Sequence, residues 1–302
     1  MWFWLSLIAL LCWSGSDLFS KIGCQGEDDH LAHLKMVIAV GTVMGLHAAF
    51  EIFIGGTEIS WSIIWTYLPV SLLYIGSMTL GYLGLRYIEL SVSSPICNSS
   101  GALVAVMTLL FVGGEDYSPL ALGAIVLVCV GAIGLGVVDA TEDPELRAAR
   151  QVEGNRKYSK SFLALALPAA YCLLDAAGTF ADSRVLTRLD PDAANCAYEL
   201  TFLFAAAVSF VYVKFIRHDR FLPKREGPKY VGALFETAGQ FAYIYAIADE
   251  DHVMYAAPII SAYCAASVLW SRIFLKEKLS WKHYTMILLV VIGIAVMGVF
   301  DI

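Results

Sequence analysis

Four carboxylic acids stand where acids are costly: Asp17, Asp175, Glu199 and Glu236 each lie inside a long apolar stretch. A carboxylate at the centre of a bilayer costs about 2.5–3.5 kcal/mol on insertion scales, so it persists by facing a cavity, pairing, or holding a proton. No Lys or Arg lies at similar depth. Lys21, Lys35, Arg86, Arg184 and Arg272 all sit toward segment ends, where a long stem reaches water. An apolar interior with several acids and no deep base suits a cation, a protonatable amine or a proton. Desolvation favours the protonated carboxyl and a neighbouring cation favours the ionised one, so a single group can exchange one for the other. Gln240 lies one turn from Glu236 on the same helix face. Trp13, Tyr171, Tyr198, Tyr243, Tyr263 and Trp270 fall in the same stretches, and aromatic faces bind ammonium groups. These acids, Gln240 and the six aromatics are the candidate substrate-binding residues. The competing role for the aromatics is lipid contact or an interfacial belt. For Asp17 it is an i,i+4 pair with Lys21.

Other polar groups point elsewhere. His47 and Glu51 are four apart and form either a proton-sensing pair or an interfacial hydrogen bond. His252 follows the acidic turn Asp249-Glu250-Asp251 and reads as capping and solvation. The seven cysteines are scattered through apolar segments without a CxxC, so they read as small packing residues. No nucleotide-binding loop, HExxH or paired Cys/His motif is present, so no catalytic residue, cofactor or metal is expected. No nucleic-acid partner is expected either.

The elements that must position these residues are membrane helices. Of 302 residues, 59% are hydrophobic, above the roughly 45–50% of soluble chains. The excess falls in blocks of the ~20 residues that a span needs. Leu90–Gly114 and Tyr117–Val138 contain no Asp, Glu, Lys, Arg or His. Ten spans are predicted: Trp2–Ile22, Lys35–Phe53, Ile63–Tyr87, Val92–Val112, Pro119–Val138, Phe162–Arg184, Ala193–Phe215, Tyr230–Ala248, Val253–Phe274 and Trp281–Val299. Met1–Asp17 has no Lys or Arg and therefore reads as part of the first span and not as a cleavable signal.

The spans come in two matched sets. Ser94-Pro95-Ile96 opens one apolar segment and Ala257-Pro258-Ile259 another; the prolines are 163 positions apart. The terminal acids Glu115 and Glu277 are 162 apart, and Ser118 and Ser280 follow them as helix caps. Pro95, Pro258, Glu115 and Glu277 thus read as structural, the acids lying just before a helix N-terminus. Trp13–Asp17 and Tyr171–Asp175 share an aromatic four residues before an aspartate. With five spans per copy, the second copy enters from the opposite side. The expectation is an all-α integral membrane protein of ten transmembrane helices in two inverted five-helix repeats, 1–140 and 161–302, with a polar joint at 141–160.

The twice-occurring pattern of proline, small residues and a terminal Glu before Ser, with Cys12-Trp13-Ser14-Gly15 and Lys21 in the first span, resembles the drug/metabolite transporter superfamily, EamA type. The resemblance implies a secondary carrier working by alternating access, its site in a central cavity between the repeats. Members export amino acids, drugs and other metabolites, or take up compounds such as choline. Taken with the deep acids, the expectation is a proton-coupled carrier of a small organic cation or amine-bearing metabolite. The alternatives are a carrier of neutral or zwitterionic metabolites such as amino acids, or, in another class, a non-transporting sensor or intramembrane enzyme. A phosphate-bearing substrate would want several deep bases, and Arg272 alone offers one. Expected partners are the small-molecule substrate, the lipid bilayer and protons, with a monomer or homodimer as the unit.

Orientation follows from the basic residues. With ten alternating spans, 18 of the 20 Lys and Arg fall on the side of the central joint and two, Arg184 and Arg188, on the side of the termini. The positive-inside rule puts the joint in the cytoplasm and both termini outside a cell membrane. The family resemblance implies the reverse, with cytoplasmic termini.

Overall fold

The computed structural model describes residues 1–25, 29–87, 90–112, 118–141 and 162–299. Glu115 and residues 142–160 of the joint, both singled out above, lie outside the described residues. The helices are α1 (Trp2–Cys24), α2 (Ala32–Phe50), α3 (Trp61–Leu85), α4 (Leu90–Cys97), α5 (Ser100–Phe111), α6 (Pro119–Ala140), α7 (Phe162–Val185), α8 (Pro191–Val211), α9 (Pro223–Ile247), α10 (Val253–Ser261), α11 (Tyr263–Phe274) and α12 (Trp281–Val299). Helices α2 and α8 each run on into a π turn, Glu51–Gly55 and Tyr212–Ile216. Among the described residues there is no strand.

Among the described residues, seven segments are long and apolar enough to cross a bilayer: α1, α2 with its π turn, α3, α4 with α5, α6, α8 with its π turn, and α10 with α11. Trp281–Met297 is a shorter apolar helix. The other two expected spans, α7 and α9, fall outside that set, and both carry buried acids. Helix α9 also starts seven residues earlier than the predicted Tyr230. Pro223 supplies its first turn, and Lys224-Arg225-Glu226 continue it in polar surroundings.

The fourth and ninth spans differ from the continuous helices predicted for them. Each is broken shortly after its proline, α4 giving way to α5 at Asn98-Ser99 and α10 to α11 at Ala262. Proline removes one N–H and crowds the preceding turn. Tight i→i+3 bonds follow in both spans: Ser99 N–H to Ile96 O at 3.4 Å, and Ala262 N–H to Ile259 O at 3.1 Å. The second helix of each span then opens on Ser100 or Tyr263, again 163 positions apart.

Helices of the first half pack on helices of the second. Helix α1 lies on α9 and α3 on α7; α2 meets α8, α6 meets α12, α5 meets α10 and α4 meets α11. Small residues such as Ala9, Ala39, Ala197, Ala246 and Ala256 fill these seams, where close backbone approach replaces the hydrophobic drive that lipid lacks. Large apolar side chains face outward, with Trp61, Trp65 and Trp281 exposed at helix starts, as in an interfacial belt.

At the end where α1 finishes and α9 begins, charges are buried in a cluster. Lys35 Nζ lies 3.0 Å from Asp29 and 3.3 Å from Asp219; Lys229 Nζ lies 3.4 Å from Asp29 and 3.0 Å from Glu226. Lys229 is fully buried, its stem laid over Gly23, where an added Cβ would stand 2.6 Å from Lys229 Cγ. The cluster ties the α1–α2 connection to the start of α9.

Candidate functional site

The prolines, breaks and small-residue seams leave a central cavity of about 70 Å³, lined by α1, α3, α4, α7, α8, α9, α10 and α11. Of the predicted residues, Trp13, Asp17, Tyr171, Asp175, Tyr198, Glu236, Gln240, Tyr243 and Tyr263 line it. Glu199 and Trp270 do not.

Each of the three cavity acids is held by hydroxyl groups. Ser94 donates to Asp17 at 2.5 Å and Ser267 to the same oxygen at 2.8 Å. Ser100 donates to Asp175 at 2.7 Å and Ser16 to Glu236 at 2.7 Å. The two partners of Asp17 come from α4 and α11, the partner of Asp175 from α5, and that of Glu236 from α1. Every cavity acid is therefore positioned by the opposite half of the chain, except for the one bond from Ser94. The proposed i,i+4 partner of Asp17, Lys21, donates instead to the Leu85 carbonyl at 2.7 Å. Neutral donors steady a carboxylate while leaving its charge uncancelled, so it can still attract a cation.

The aromatics form a cage beside the acids. Trp13 sits 5.0 Å from Tyr243 and 5.9 Å from Tyr263 between ring centroids, and its Nε1 donates to the Glu236 carbonyl at 3.3 Å. Gly239 makes room for this indole: an added Cβ would stand 2.4 Å from it. Tyr198 stacks edge-on against Tyr74 at 5.8 Å and donates to the Met78 sulfur at 3.2 Å. Gln240 is buried with its amide nitrogen unpartnered among the described residues.

The remaining predicted residues have other surroundings. Glu199 is fully buried between α8 and α2, where His47 Nδ1 lies 2.9 Å from it and Asn195 donates at 3.2 Å. Glu51 is the more distant partner of His47, at 3.8 Å. Trp270 donates to Ser14 at 3.0 Å, bracing α11 on α1. His252 pairs with Asp249 at 2.8 Å and stacks on Trp2. Glu277 is buried, and its carboxylate accepts from the Ser91 N–H at 3.3 Å. It thus serves the N-terminus of α4. Ser118 caps α6 as expected, accepting from Ala121 at 3.1 Å.

The sequence reading passed over the serines that hold the acids, and it passed over Asp182. This aspartate is fully buried on α7, its two oxygens accepting from Tyr67 at 2.7 Å and Tyr74 at 3.2 Å. The signal was present: Asp182 is seven residues, or two turns, beyond Asp175 and so on the same helix face.

Apolar helices around a buried acidic and aromatic cavity make this a multi-pass membrane protein with the build of a small-molecule transporter. Residues 163–299 match the model of the EamA-like transporter family, which belongs to the drug/metabolite transporter superfamily. A solved crystal structure, described only as that of a protein, is similar over 98% of this chain and 96% of its own, with TM-score 0.65 at 14% identity. That likeness is one of fold. No curated protein matches the sequence.

Proposed function

We propose that the protein is a secondary active carrier of a small organic cation or amine-bearing metabolite, coupled to protons. It works by alternating access between two inverted five-helix repeats, 1–140 and 161–302. One observation carries this reading. The cavity brings together Asp17, Asp175 and Glu236 with Trp13, Tyr243 and Tyr263, and no Lys, Arg or His is among the described residues that line it. An ammonium group gains from both the carboxylates and the ring faces. The repeat reading is supported by the reciprocal packing of α1 on α9 and α7 on α3, and of α4 on α11 and α10 on α5. Broken helices beside a cavity between halves are also how inverted-repeat carriers build a site.

In proteoliposomes, an opposing pH gradient should drive amine accumulation by the wild-type protein. Asp175→Asn should abolish that pH dependence and weaken amine binding at least about tenfold, or about 1.4 kcal/mol. Unchanged, pH-independent flux would count against the reading. Ligands are found first by thermal stabilisation of the purified protein against a panel of amines, amino acids and nucleosides, since a bound ligand raises the melting temperature with its excess.

A second reading is favoured by Gln240, whose unpartnered amide can donate to a substrate oxygen. On that reading the substrate is neutral or zwitterionic, such as an amino acid, and the acids handle protons alone. Competition between charged and neutral analogues of one ligand separates the two readings.

A further inference from the structure

Asp182 belongs to no part of the site just described, yet it is wired to it. Tyr74 spans the gap. Its hydroxyl donates to Asp182 at 3.2 Å, lies 3.3 Å from Thr179, and makes a short hydrogen bond with the Tyr243 hydroxyl. Tyr74 and Tyr243 both line the cavity, whereas Asp182 does not. A carboxyl group, two phenols and the cavity therefore form one continuous hydrogen-bonded chain.

The surroundings of Asp182 suit proton storage better than cation binding. The titratable groups that face it are Tyr67 and Tyr74 on α3 and Tyr243 on α9; Asp175 stands two turns back on α7. Arg184, two residues on, projects about 200° round the helix from it. The aspartate is fully buried and is not among the described residues that line the cavity. It lies toward the end of the bundle where α3 begins and α7 finishes, between the cavity and that membrane face.

We propose that Asp182 is the coupling-proton site of the carrier, separate from the substrate carboxylates, and that Tyr74 and Tyr243 relay its proton to the cavity. The inference rests on the proton-coupled reading above and deepens it. Asp182 takes a proton from the face it adjoins when the halves part on that side. In the closed arrangement it gives that proton to the Tyr74 oxygen, Tyr74 passes its own to Tyr243, and Tyr243 passes its own to a water or carboxylate in the cavity. Each phenol gains one proton and loses one, so both end neutral and the net change is one proton moved from Asp182 to the cavity. The proton comes from the transmembrane gradient. Because Asp182 is sealed in the closed arrangement, protons do not leak past an idle carrier.

The test separates coupling from binding. Using the best-binding amine of the panel, three quantities are measured in proteoliposomes and detergent for wild type and Asp182→Asn: amine affinity, amine–amine counterflow without a pH gradient, and accumulation driven by a pH gradient. Asp182→Asn should keep affinity and counterflow within about twofold and lose gradient-driven accumulation. Tyr74→Phe, which keeps the ring and removes the relay, should slow gradient-driven accumulation at least ten times more than it slows counterflow; it decides the matter if Asp182→Asn does not fold. Gradient-driven accumulation at wild-type rates in either variant overturns the inference, as does loss of amine affinity in Asp182→Asn. A wild-type protein that neither binds amines nor responds to a pH gradient overturns the proposed function first, and this inference with it.

Discussion

Replacing Lys229 with methionine should destabilise the protein by about 3–5 kcal/mol, the usual cost of breaking a buried charge pair from one side. Lys229 is fully buried, and its ammonium lies 3.0 Å from Glu226 and 3.4 Å from Asp29, with a further bond to the Arg225 carbonyl at 3.3 Å. Methionine keeps the stem that packs over Gly23, so the loss is electrostatic. It leaves two carboxylates in a poorly solvated space, with Lys35 3.0 Å from Asp29 and 3.9 Å from Glu226 to offset them. Adding Glu226→Gln should restore part of the loss, because the unpaired partner is then gone; a double-mutant cycle in mixed micelles measures the coupling. A fully additive cycle would show that the two residues do not interact.

The same cluster sets an acid limit. Burial opposes the charged form of Asp29, but the hydrogen bond from Lys35 and the charges of Lys229 and Lys35 outweigh it and hold its carboxyl below the usual carboxylate range. A group depressed in this way lends stability above its unfolded pKa of about 3.9, and that stability is lost as pH falls through the lower folded value. The melting temperature of the wild-type protein should therefore fall between about pH 5 and pH 3 more steeply than that of Asp29→Asn. Parallel curves would mean that Asp29 carries no linked proton.

How far the sequence could be read follows from what each feature costs locally. Apolar blocks of spanning length and the 163-residue offset between Pro95 and Pro258 are properties of the chain alone, so the helices were legible to within a few residues. Asp17, Asp175 and Glu236 were legible because an acid in an apolar block needs a reason, and nine of the eleven candidates line one cavity. The remaining misses come from contacts between distant segments. Glu199 looked equivalent to the others in sequence, but His47, 152 positions away, engages it. Asp182 was hidden by its nearness to Arg184, which made it resemble a helix-end charge. The serines at 16, 94, 100 and 267 read as small packing residues, and only the fold aims their hydroxyls at the acids. The helix breaks were half legible: proline marks them, but where a helix restarts depends on what its new first residue meets. Likewise, the early start of α9 needed the buried cluster, since nothing within 223–229 alone says that its charges are satisfied.

Gly101→Val should disable the site from outside it. An added Cβ at Gly101 would stand 2.5 Å from Ser261 Oγ, 2.6 Å from Ser261 Cβ and 2.9 Å from the Ala257 carbonyl. Two of these atoms belong to a short side chain and one to backbone, so α5 must move away from α10. Overpacking of this kind costs about 1–3 kcal/mol in stability. The larger consequence is positional. Ser100, the residue before, holds Asp175 by a 2.7 Å bond, and a displacement of the α5 start by an ångström lengthens that bond beyond useful range. Ser100→Ala removes the same bond without moving the helix and should cost only about 1 kcal/mol. Gly101→Val should therefore weaken amine binding more than Ser100→Ala does, and by at least tenfold against wild type. Gly123→Ala, at a glycine with open space around it, should bind as wild type. The ordering of the three affinities is the measurement. If Gly101→Val binds as tightly as Gly123→Ala, the break between α4 and α5 does not set the position of Asp175, and the cavity is built from the straight helices alone.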